Sequence, residues 1–127
     1  MRGLLGGGVK VYAFDVDDTL EVSNGPVTMA SVLQLRQEGN IVGLCGNFEP
    51  VIRVLGQLKQ HDPFSFVWLM DIPKESFLRA LRGVLPAEDY VMVGNIFGLS
   101  GGSDDAGAAE RAGFRFIKES DFAEGMR

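Results

Sequence analysis

Apolar runs and helix-patterned stretches take turns along this chain, and that alternation limits the folds open to it more than any single residue does. The first run, KVYAFDV (10–16), is almost wholly apolar or β-favouring with no clean in-and-out period, as in a strand covered on both faces. IVGLC (41–45), FSFVWLM (64–70), YVMVG (90–94) and FRFI (114–117) supply four further strands. Between them, TMASVLQLRQEG (28–39) sets Met29, Val32, Leu33 and Leu35 near helical spacing and stops at Gly39. Pro50 opens a second helix in which Val51, Ile52, Val54, Leu55 and Leu58 form an apolar face running to Lys59. KESFLRALRGVL (74–85) turns Phe77, Leu78, Leu81 and Leu85 inward, and DDAGAAERAG (104–113) is a small-residue helix ending at Gly113. The expected fold is α/β, a parallel five-stranded sheet with helices on both faces. In such sheets the ligand site lies beyond the carboxyl ends of the strands.

With 127 residues the chain fits one domain, expected over residues 9–127 behind a flexible glycine-rich lead, MRGLLGGG (1–8). The net charge of −5, with no basic cluster, argues against nucleic acid as a partner but leaves a phosphorylated small molecule open. A single cysteine, Cys45, excludes an internal disulfide and suits a reducing cytoplasm. No apolar stretch is long enough for a bilayer and the N-terminus carries no secretion signal, so no membrane partner is expected.

Where the first apolar run stops, FDVDDTL (14–20) crowds Asp15, Asp17 and Asp18 together. Asp15 and Asp17, two apart at a strand end, are expected to leave the chain on the same side. Adjacent carboxylates raise one another's pKa unless a cation lies between them, and a hard divalent ion such as Mg²⁺ answers that need. Such a site offers a carboxylate nucleophile, a second carboxylate as general acid and base, and a metal to screen a phosphate. A bare D-x-D also serves to cap turns and helices, so the wider sequence has to decide.

FDVDDTL after a hydrophobic strand resembles the first motif of the haloacid dehalogenase (HAD) superfamily of phosphohydrolases, D-x-D-x-T-L, matched at Asp15, Asp17, Thr19 and Leu20, with Asp18 where glycine is usual. DDAGAAERAG is similar to that family's last motif, with Asp105 in the acidic position and Ala108, Ala109, Ala112 and Gly113 in register. IVGLCGN looks like the second motif, with Cys45 in place of the usual hydroxyl residue, so that phosphate binding would lean on Gly46 and Asn47. A small buried hydrophobe is an equal reading of Cys45. Lys74 in PKESFLRAL matches the third motif's lysine, although a solvated lysine at a helix start reads the same way. The chief departure is VGNIFGLSGGSDD, where Asn95 replaces the usual aspartate and a glycine-rich loop leads to Asp104 and Asp105.

The resemblance implies a three-layer Rossmann-like domain and a Mg²⁺-dependent phosphatase. Asp15 would be the nucleophile and form an aspartyl-phosphate, Asp17 the general acid and base, and Lys74 the partner of Asp15 and the phosphoryl group. The metal would be held by Asp15, the main-chain carbonyl of Asp17, and Asn95, Asp104 or Asp105. Only EVSNGPV separates the first strand from its helix and DIP the third strand from Lys74, so no cap domain fits. Capless relatives act on macromolecules or form homo-oligomers in which a neighbour covers the site. Two other readings stand beside this one. Cys45 and Asn95 suit a catalytically degenerate binding or structural module of the same fold. A receiver domain would use Asp17 with Asp18, a phospho-accepting Asp71 and Lys118, but Gly94-Asn95 stands where it needs a hydroxyl residue.

Overall fold

Four of the apolar runs pair as a parallel sheet. A computed structural model of the chain describes residues 8–58, 63–68, 70–95 and 104–127. The strands are β1 (Lys10–Phe14), β2 (Ile41–Leu44), β3 (Asp89–Gly94) and β4 (Arg115–Lys118), in the order β2-β1-β3-β4. Phe14 is paired with Leu44 on one side and Val93 on the other, which sets the end of β1 at the middle of the sheet's carboxyl edge. The helices are α1 (Met29–Gln37), α2 (Glu49–Leu58), α3 (Lys74–Val84), α4 (Asp105–Ala112) and α5 (Glu119–Ala123).

Side chains of successive strand residues point to opposite faces, and the core divides accordingly. Tyr12, Phe14, Val42, Leu44, Val91 and Val93 pack with Val32 and Leu35 of α1, Val51 and Leu55 of α2, and Phe122 of α5. Val11, Ala13 and Met92 pack with Leu78 and Leu81 of α3 and Ala109 and Ala112 of α4. Local chemistry fixes the helix ends. Thr28 Oγ1 accepts from the Ser31 amide at 3.1 Å to cap α1, and α4 stops at Gly113 in the left-handed conformation. Leu33 and Ile52, counted on the apolar faces by spacing alone, are exposed.

The expected strand over 64–70 is present only as a bridge between Val67 and Leu44. Its backbone does follow β2: Ser65 donates to Val42, Leu44 to Phe66 and Trp68 to Leu44, at 2.7–2.9 Å. Phe64 joins one half of the core, whereas Phe66 and Trp68 join the other, so the two-residue period breaks between positions 64 and 66. The ring of Phe66 fills the space that a β-carbon on Gly43 would need. The connection between β1 and α1 folds on itself: a 3₁₀ turn (Glu21–Ser23) is closed by a Leu20–Val27 bridge. No described helix is long and apolar enough to cross a membrane. The flexible lead expected over residues 1–8 lies, but for Gly8, outside the described residues, as does the glycine-rich segment 96–103.

After β4, α5 turns back and buries Phe122 edge-on against Phe14, with ring centroids 5.3 Å apart. The Arg127 guanidinium covers the outer face of that ring at 4.0 Å. Phe122→Ala is expected to lower stability by about 3–5 kcal/mol, as for other fully buried aromatics, and urea unfolding measures the loss.

Candidate active site

β1 ends at Phe14, but the Asp15 amide still donates to the Val93 carbonyl at 2.9 Å, so sheet pairing delivers Asp15 to the edge. The chain then turns sharply, with Thr19 and Leu20 donating to the Val16 carbonyl. Asp18 sits within this turn at φ 61°, a conformation that favours glycine and that aspartate tolerates better than most residues. This turn ends the two-residue period on which a shared side for Asp15 and Asp17 depended. Asp15 is buried. Asp17 is exposed, its carboxylate accepting a 2.7 Å hydrogen bond from the Ser23 hydroxyl.

Lys74, the first residue of α3, reaches across to the strand ends. Its Nζ lies 2.9 Å from Asp15 Oδ1 and 2.9 Å from Asp105 Oδ1. A cation at a helix N-terminus opposes the helix dipole, and two carboxylates within contact distance outweigh that cost. The ammonium also lies 5.4 Å from the centroid of the Trp68 ring. Asp105, 1% exposed, additionally accepts from the Asn95 main-chain amide at 3.2 Å. Thr19 Oγ1 donates to Asp15 Oδ2 at 3.3 Å. Asn95 Nδ2 donates both to Asp15 Oδ2 and to the Asp17 carbonyl, each at 3.0 Å. Two glycines permit this closeness: a β-carbon on Gly46 would lie 2.7 Å from Asp15 Oδ1, and one on Gly94 would lie 2.6 Å from Asp105 Oδ2.

Two negative groups sharing one ammonium set the electrostatics. Burial raises the pKa of Asp15 to about 6, against the pull of Lys74 and with a further push from Asp105. Burial would lower Lys74, but the two carboxylates hold its pKa above the ordinary value. Burial drives the Cys45 thiol up to about 12, so it stays protonated.

Of the residues singled out by sequence, Asp15, Lys74, Asn95, Asp105 and the Asp17 carbonyl meet in one cluster, with Gly46 against Asp15. Asp104 stands apart: it caps α4, accepting from the Gly107 amide at 2.9 Å. The Asn47 side-chain oxygen accepts from the Glu49 amide at 3.2 Å at the start of α2, and the Cys45 amide is spent on the Phe14 carbonyl at 2.7 Å. Asp71 and Lys118 are exposed. Ser23 and Trp68 carry no signal in the sequence of their part in the site. SNGP signals a turn but not the hydroxyl's target, and a tryptophan in an apolar run signals only core.

Among the described residues no group of three or more His, Cys, Asp or Glu side chains is placed to hold a metal ion. A sparser set of oxygens is of the donor type that a hard cation takes. The Asp15 carboxylate and the Asp17 carbonyl converge on a single point, now filled by the Asn95 amide, which would add a third oxygen if turned over. One carboxylate with two neutral oxygens makes a weak site.

Burial holds the Asp15 carboxyl above its ordinary 3.8, at about 6, so ionising it inside the fold costs stability. Because the folded value lies above the unfolded one, stability is lost as pH rises between the two and is level above them. In metal-free buffer Asp15→Asn is expected to match the parent near pH 4 and exceed it by about 1–3 kcal/mol at pH 7.5. Lys74→Met, which leaves two buried carboxylates facing each other, is expected to lose about 3–5 kcal/mol. Urea unfolding at the two pH values checks both. No family model, curated protein or solved structure compared with the chain matches it.

Proposed function

We propose that this chain is a phosphomonoester hydrolase of the HAD type, working through an aspartyl-phosphate on Asp15. The observation that carries this reading is the Lys74 ammonium held 2.9 Å from both Asp15 and Asp105 at the carboxyl edge of a parallel sheet. These residues come from FDVDDTL, PKESFLRAL and DDAGAAERAG, three separate parts of the chain. The finer architecture belongs to the same proposal: three layers, with the segment around Val67 as a fifth, edge strand beside β2.

In the first step an Asp15 carboxylate oxygen attacks phosphorus, the bond to the ester oxygen breaks, and Asp17 gives that oxygen its proton. In the second, Asp17 takes a proton from water as the water attacks the aspartyl-phosphate, and the bond from phosphorus to Asp15 breaks. Lys74 holds the nucleophile in place and offsets charge gathering on the phosphoryl oxygens. Asp17, exposed and hydrogen-bonded to the Ser23 hydroxyl, would turn toward the ester oxygen for both proton transfers. A Mg²⁺ ion, held by Asp15, the Asp17 carbonyl and the Asn95 side-chain oxygen, would screen the phosphate's negative charge. The compact 20–27 turn and the short link from Asp71 to Lys74 support a capless site. An open site suits a small phosphorylated substrate, or one enclosed by a second subunit in a homo-oligomer, within the cytoplasm.

A second reading, a degenerate module of the same fold, draws support from the Asn95 amide sitting where a cation would bind. Assaying the protein and Asp15→Asn with aryl and alkyl phosphates, with and without Mg²⁺, separates the readings. The hydrolase is expected to release phosphate only with metal, and the variant to fall to background. Absence of turnover on every ester assigns the chain to the degenerate module, and stable phosphate on Asp71 would make it a receiver.

A further inference from the structure

We propose that the Asn95 side chain is a built-in stand-in for the divalent cation of this site, a competitor that must turn aside before a cation binds. The inference rests on the cation-assisted reading above and concerns how that cation is admitted. The Asn95 amide nitrogen has two N–H bonds and two acceptors, Asp15 Oδ2 and the Asp17 main-chain oxygen, both at 3.0 Å. These are the oxygens that a cation here would join, and a nitrogen and an ion cannot both occupy the point on which they converge. The amide's orientation follows from its partners: an ionised carboxylate and a carbonyl only accept, so reversing it would set oxygen against oxygen.

Asn95 is anchored from both ends. Its main-chain amide donates to Asp105 Oδ2 at 3.2 Å while its side chain spans Asp15 and Asp17. With Lys74 and Thr19 supplying the other donors, no buried side-chain oxygen or nitrogen of the cluster lacks a partner among the described residues. An aspartate at position 95 would instead set a carboxylate against that of Asp15 and the Asp17 carbonyl, an arrangement that calls for a cation. To admit an ion, Asn95 must give up two hydrogen bonds and turn its oxygen inward, so the wild-type site binds weakly and only by displacement.

The test uses chelator-stripped protein and Mn²⁺ or Mg²⁺ alone. Mn²⁺ binding, followed by the electron paramagnetic resonance of the free ion, is expected to be at least about tenfold tighter in Asn95→Asp than in wild type, the effect expected of one added ligand charge. Without metal, Asn95→Asp is expected to melt below wild type, and Mg²⁺ to restore it. Should that variant fail to fold, the wild-type protein supplies its own measurement. The Asn95 side-chain NH₂ signals in a ¹⁵N spectrum should be protected from solvent exchange without metal and lose that protection as Mg²⁺ is added. Equal Mn²⁺ affinities, or an Asn95 NH₂ group that exchanges freely without metal, overturn the stand-in while leaving the cation reading intact. Failure of both proteins to bind Mn²⁺ overturns both.

Discussion

A single ammonium group, Lys74 Nζ, lies between two buried carboxylates, and the carboxyl edge of the sheet is organised around it. The contact ties the tip of β1 to the first residues of α3 and α4, elements separated by 59 and 31 residues of chain. One positive and two negative charges leave the cluster with an excess of negative charge in a poorly solvated place. Its remaining neighbours are the donors such a cluster needs: the Thr19 hydroxyl on Asp15, the Asn95 side chain on Asp15 and the Asn95 main chain on Asp105. Gly46 and Gly94 keep their backbones close enough for these distances. A stability-driven core would replace such a triad with apolar residues. Its place at a strand edge, where ligands of parallel sheets bind, is what the proposed reading draws on.

The elements that were legible in the sequence are those whose burial follows a simple period. β1 and β3, enclosed by partners on both sides, read as continuous apolar runs, and α3 reads from Leu78 and Leu81. The segment at 64–70 reads equally well as a strand, because composition cannot reveal that Phe64 and Phe66 pack into different halves of the core. The ring of Phe66 takes the room above Gly43, a fit between distant residues that composition does not show. α5 escaped notice since five residues with one buried aromatic carry no period at all, and its place depends on Phe14, more than a hundred residues earlier.

The site was legible to a different degree for each residue. Asp15, Lys74 and Asp105 could be placed because the ends of parallel strands and the starts of the following helices share one edge, which makes sequence position a guide to proximity. Asp104 and Asp105 are neighbours of the same type, and only the geometry of α4 separates the capping residue from the one that meets Lys74. Asp17 was expected to bring its carboxylate beside Asp15. The turn after Phe14 presents its carbonyl instead and leaves the side chain to Ser23. For Asn95 the sequence tells that a charge is missing, yet it cannot tell that the nitrogen rather than the oxygen faces the carboxylate.

That last distinction governs what the cluster can attract. A phosphoryl group brings negative charge to a place that already holds two carboxylates and one ammonium, and the ammonium is shared between them. The Asn95 amide donates to Asp15, but as a neutral group it leaves the net charge unchanged. Attraction for an anionic ester has therefore to come from positive charge that accompanies it, or from the proton that Asp15 retains more readily than an ordinary aspartate. A protonated Asp15 binds an anion more easily and is a poor nucleophile, while an ionised Asp15 is a good nucleophile and repels the anion. On the proposed reading, only added positive charge beside Asp15 relieves both conflicts at once. This makes the oxygen pair bridged by Asn95, rather than the tie to Lys74, the point at which activity would be set.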